Sequence, residues 1–89
     1  MSANNKEDFL RELIHKSWHR GCKETDILLG HFARNKLHEM NDDFLSVYAQ
    51  LIYESDWDIY AWLTEETQSP IQYQNAVKII QEYHSLQNR

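Results

Sequence analysis

Phe9, Leu10, Leu13, Ile14 and Trp18 recur at helical spacing and are followed at once by Gly21. That pattern fixes one apolar helix face and then places a residue without Cβ where a helix C-terminus calls for a left-handed conformation. The chain must reverse there. The reversal carries Arg20-Gly21-Cys22-Lys23-Glu24 and then Asp26, so two cations, an unshielded backbone and two carboxylates crowd one turn. Capping explains much of this. His15, Lys16, His19 and Arg20 lie at the negative end of the first helix dipole, and Glu24 and Asp26 open the next helix.

Further along, periodicity and start signals place four more helices after the first, which spans about 7–19. The second covers about 23–37 and is expected to bury Ile27, Leu28, Phe32 and Leu37. Gly30 within it lowers helix propensity by about 1 kcal/mol relative to alanine and so implies the close approach of another helix. The third starts after Asn41 as a cap and carries Phe44, Val47, Tyr48, Leu51 and Ile52 on one stripe. Ser55 with Asp58 forms a capping box for a short fourth helix holding Ile59, Trp62 and Leu63. Ser69-Pro70-Ile71-Gln72 reads as serine cap, proline at the first helical position and glutamine reaching back, opening a fifth helix that buries Ala76, Val77, Ile80 and Tyr83. Only two glycines and one proline interrupt the 89 residues, too few for a turn-dense β fold. The expected fold is therefore all-α, a small five-helix bundle forming a single domain over 1–89 with an ordered core of about 7–86.

Two blocks of this chain together resemble the SdhE family of small helical assembly factors. Arg20-Gly21-Cys22-Lys23-Glu24 is similar to its RGxxE signature, and Asp56-Trp57-Asp58-Ile59-Tyr60-Ala61-Trp62-Leu63 to its D-x-D-L-x-x-W-L stretch, at the family's usual separation. The sequence departs from the common pattern at His19, Cys22 and Thr25, the last standing where leucine is usual. The resemblance implies a factor that binds the flavoprotein subunit of succinate dehydrogenase, and of fumarate reductase as a second partner, and promotes covalent attachment of FAD. It implies a partner-binding site of Arg20, Gly21, Cys22, Glu24 and Asp26, with Arg20 pairing a partner carboxylate, Gly21 permitting backbone approach and Glu24 accepting a charge-assisted hydrogen bond.

The remaining residues narrow the alternatives. His15 and His19 share a helix face, but His31, His38 and His84 fall at no recognisable ligand spacing, so neither a bound metal nor a metal-dependent enzyme is expected. No glycine-rich strand-to-helix turn is present to hold a dinucleotide, and no stably bound cofactor is expected. Asp56 and Asp58, two apart, face different directions on a helix and are read as helix-start charges. No nucleophile can be paired with a base, so catalytic residues are not assigned and the chain is not read as an enzyme. Tyr48, Trp62 and Tyr83 belong to core stripes, whereas Trp57 and Tyr60 are the aromatic residues expected at the surface.

Net charge is -5, with seven Lys/Arg and five Asp/Glu in residues 1–38 but two and nine in residues 39–89. Such a chain repels phosphate backbones, and nucleic acid is not an expected partner. No apolar run is long enough to cross a membrane. A single cysteine, Cys22, read as a small residue filling the turn, suits a reducing compartment. The first eight residues lack the character of a signal or transit peptide, from which a bacterial-type cytoplasmic location is expected, with a matured organellar protein as second choice. A general helical adaptor acting on an unrelated partner is the alternative function.

Overall fold

The computed structural model describes residues 2–87. Five α-helices follow in order: α1 (Ser2–Trp18), α2 (Lys23–Lys36), α3 (Asp42–Leu51), α4 (Asp56–Leu63) and α5 (Gln74–Gln87). Short 3-10 turns at Leu37–Glu39 and Ile71–Tyr73 lead into α3 and α5, and no strand occurs among the described residues. The all-α reading of the sequence holds.

The helix starts behave as their residues dictate at α3 and α4. Asn41 accepts from the Phe44 N–H at 2.8 Å, and Ser55 from the Asp58 N–H at 3.1 Å, each satisfying a donor that the first helical turn leaves open. At α5 the sequence signal fails. Pro70, with ψ 151°, caps the 3-10 turn rather than entering an α-helix, and the reach-back comes from Gln74, whose Nε2 donates to the Ser69 carbonyl at 3.1 Å. The proline signal is real, but the tighter turn comes first and the α-helix starts at Gln74, four residues after Pro70.

α2 is the central element, packing on α1, α4 and α5. Its Phe32 is fully buried and its ring lies 5.9 Å from that of Phe44, 6.0 Å from Tyr48 and 5.6 Å from Tyr83, so one aromatic ring joins α2, α3 and α5. The buried face of α2 is not the one that its aliphatic run suggests. Thr25, Leu29, Gly30, Phe32 and Ala33 face inward, whereas Ile27 is exposed and Leu28 half-buried.

Gly30 takes the role its sequence position implied. A Cβ at position 30 would fall inside the Trp18 indole, so α1 closes on α2 only because position 30 has no side chain. The interior also holds a short polar chain. Ser17 donates to the Leu13 carbonyl at 2.7 Å and receives the Tyr48 hydroxyl at 2.6 Å. Both residues are fully buried.

Candidate functional site

The corner between α1 and α2 is built around Gly21, whose φ of 102° is a conformation that L side chains rarely adopt. Nothing lies within 4 Å of the Cβ direction of Gly21. The glycine is therefore required by backbone conformation alone, and its surroundings are open to solvent. Lys23 and Glu24 are exposed beside it, while Cys22 is half-buried, with its thiol 3.6 Å from a Glu24 carboxylate oxygen.

Arg20 and Asp26 have a different part. The Arg20 backbone N–H, just past the end of α1, donates to Asp26 Oδ1 at 2.8 Å and so ties the turn to the first turn of α2. The Arg20 guanidinium folds inward, its side chain only 10% exposed. Nε donates to Asp56 Oδ1 at 2.6 Å, Nη2 to the Glu54 carbonyl at 2.6 Å, and Nη1 to the carbonyl of Ile52, the C-cap of α3. One planar fork thus joins the end of α3 to the start of α4 and holds both against the α1–α2 corner. Of the five residues expected to meet a partner, Gly21 and Glu24 lie at the surface and Cys22 at its edge, whereas Arg20 and Asp26 are engaged within the chain.

This geometry brings together the two blocks that carried the family resemblance. The turn at residues 52–56 also presents Tyr53, 74% exposed, and Trp57 follows at 87%. Lys16 Nζ donates to the Tyr53 hydroxyl at 2.6 Å and lies 4.8 Å from its ring centre, which fixes the phenol over the end of α1. The Tyr53 hydrogen bond is the main cause of a raised Lys16 pKa. The sequence does not mark Tyr53 as exposed, because its neighbours Leu51 and Ile52 are core residues and the end of α3 is set only by the fold. Tyr60, expected outside, is half-buried, and Trp62 is in the core against Tyr73 at 5.7 Å.

Elsewhere the described residues show no group of three or more histidine, cysteine, aspartate or glutamate side chains arranged around a common point. The His15 ring, on α1, lies 4.4 Å from that of His19, one residue past the end of the helix. His84 instead bonds the Leu28 carbonyl at 2.8 Å, joining α5 to α2.

A compact set of five helices, with the Arg20 fork interlocking the α1–α2 corner and the α3–α4 turn at one surface, defines a small all-α protein. The chain belongs to the family described as flavinator of succinate dehydrogenase (Sdh5), which matches residues 11–84. Over 82 residues it is 43% identical to succinate dehydrogenase assembly factor 2, mitochondrial, of Kluyveromyces lactis, covering 86% of this chain and 50% of that protein. The protein of the same name from Schizosaccharomyces japonicus is 39% identical over 89 residues, covering 97% of this chain and 62% of the relative. Assembly factor 2-A, mitochondrial, of Drosophila willistoni is 34% identical over 76 residues, covering 83% and 48%. The chain thus spans about half to three fifths of the length of these relatives.

These relatives correct the expected location. All three are named mitochondrial, which overturns the bacterial-type cytoplasmic reading. That reading rested on the first eight residues, and in a chain matching only part of its relatives' length those residues carry no information about address.

Proposed function

We propose that this chain is a mitochondrial assembly factor that binds the flavoprotein subunit of succinate dehydrogenase and promotes covalent attachment of FAD to it. Its family membership across residues 11–84 carries the reading, and the names of its relatives give the enzyme that is assembled. The related flavoprotein of fumarate reductase is a second candidate partner.

The corner supports a non-catalytic role. Gly21, Cys22 and Glu24 offer a backbone without Cβ, a thiol and a carboxylate, a set suited to recognition. Arg20 and Asp26 would act at one remove, by holding that turn in the shape the partner meets. The factor would favour the flavoprotein arrangement in which the partner's own groups complete the reaction, so its contribution is positioning and population shift. FAD would stay with the partner, and no cofactor or metal of the factor's own is invoked.

Co-expression with the flavoprotein subunit, scored by flavin fluorescence on a denaturing gel, tests the proposal. Flavin retained through denaturation only when the factor is present supports it. Equal covalent flavin with and without the factor refutes it.

A further inference from the structure

Trp57 is unused by the fold. The core is complete with Trp62 on α4 and Trp18 against Gly30, and Trp57 leaves 87% of its surface in water. A lone exposed apolar residue would be unremarkable, but this one sits in a constructed setting. Its neighbour Asp56 is bound by Arg20 at 2.6 Å, so the first turn of α4 is held in register with the Gly21 corner. Tyr53, the other large exposed ring of the same turn, is fixed by Lys16. Two aromatic side chains are thus displayed on backbone tied by Arg20 to the α1–α2 corner, which reduces the ordering cost of binding.

Charge narrows the occupant. Between Lys36 and Lys78 there is no lysine or arginine and there are eight aspartates and glutamates. Asp56 and Asp58 precede and follow Trp57 in the chain, and Asp58 is exposed. Two cations reach this turn, Lys16 from α1 and Arg20 from the corner after it, and both are engaged there, Arg20 with Asp56 and Lys16 with Tyr53. A surface that receives this indole must offer an apolar pocket with a basic rim. An anionic membrane or a second acidic copy of this chain fits poorly.

We infer that Trp57 is the apolar anchor of the docking surface, entering a basic-rimmed pocket on the flavoprotein subunit beside the place where Gly21 and Glu24 meet it. This rests on the docking reading given under Proposed function. Buried tryptophan is a frequent centre of binding energy at protein interfaces, and Asp58 supplies charge complementarity at its edge.

The test is titration of the purified flavoprotein subunit with the whole chain, its Trp57→Ala and Asp58→Lys variants and, in parallel, Gly21→Arg, each with a thermal melt. Trp57→Ala is expected to leave the melt unchanged and weaken binding by about tenfold or more. Asp58→Lys is expected to weaken binding as well, with a reduced salt dependence. A smaller loss for Trp57→Ala, or unchanged binding by Asp58→Lys, overturns the inference. Loss with Gly21→Arg but not Trp57→Ala confines docking to the corner and removes the anchor while leaving the proposed function standing. Failure of the unaltered chain to bind removes both. Sedimentation showing self-association abolished by Trp57→Ala makes a second copy the occupant and likewise overturns it.

Discussion

Tyr48 gives its hydroxyl proton to Ser17 across 2.6 Å inside the fully buried interface between α1 and α3, and Ser17 passes its own to Leu13. The order of donation makes the two ends unequal. Tyr48→Phe removes one hydrogen bond and leaves Ser17 paired, at about 1 kcal/mol. Ser17→Ala leaves a buried phenol without its acceptor, at about 1–3 kcal/mol, although alanine is the better helix former. Urea melts should rank the serine variant as the less stable. Burial raises the Tyr48 pKa, against smaller lowering effects of Ser17 and Arg20. The folded chain therefore keeps a proton that the unfolded chain loses above about pH 10. Stability should be intact below that pH and fall as pH rises beyond it. Tyr48→Phe should reduce the fall without abolishing it, because burial and Glu54 also raise Tyr73.

Thr25 is fully buried, and its hydroxyl has no hydrogen-bond partner among the described residues. Thr25→Val keeps the shape and removes that polar atom, so it should stabilise the fold by about 1 kcal/mol. A chain of this size should then melt about 4–8 °C higher.

Gly30→Ala sets two effects against each other. Helix propensity favours alanine by about 1 kcal/mol, but its Cβ would enter the Trp18 indole, and overpacking of this kind costs about 1–3 kcal/mol. Net destabilisation is expected. Trp18→Leu should relieve the clash, giving a favourable coupling when all four proteins of the double-mutant cycle are melted.

Those two sites also show where the sequence was legible. The glycine inside the apolar helix pattern announced a close helix contact, and the asparagine and serine caps announced α3 and α4, because each signal is local. The inner face of α2 was misread for the opposite reason. Ile27 and Leu28 outweigh Thr25 in any count of apolar residues, yet the direction that faces inward is set by where α1, α4 and α5 lie, and they take Thr25 and Leu29. Gly21 was legible as a left-handed residue from its position alone. The inward turn of Arg20 was not, since Ile52, Glu54 and Asp56 stand more than thirty residues away and only the folded chain puts them in reach.

Arg20→Lys tests that fork. An ammonium cannot satisfy Asp56 and two carbonyls in the planar geometry of a guanidinium, so the variant should lose about 1.5–3 kcal/mol, the contribution of hydrogen bonds to a charged group. Chemical denaturation measures it, and a melt equal to that of the unaltered chain would mean the three contacts contribute nothing net.

Gly21→Arg and Glu24→Ala separate helix capping from partner docking. A side chain at position 21 meets no neighbour but must accept a positive φ, costing about 1–2 kcal/mol, and Glu24 has no part in the core. Circular dichroism should show both variants folded at working temperature, and the flavin-fluorescence assay should show both failing to support flavinylation. Normal flavinylation by both would remove the site from this corner.

The Arg20 fork has a consequence for how this surface breathes. With one side chain bonded to the end of α3, the approach to α4 and the start of α4, neither turn can open to solvent while the other stays closed, unless a desolvated guanidinium gives up its partners. Amide hydrogens in residues 20–26 and 52–58 are therefore expected to exchange together, as one cooperative opening unit. Two stretches far apart in the chain share a single local stability.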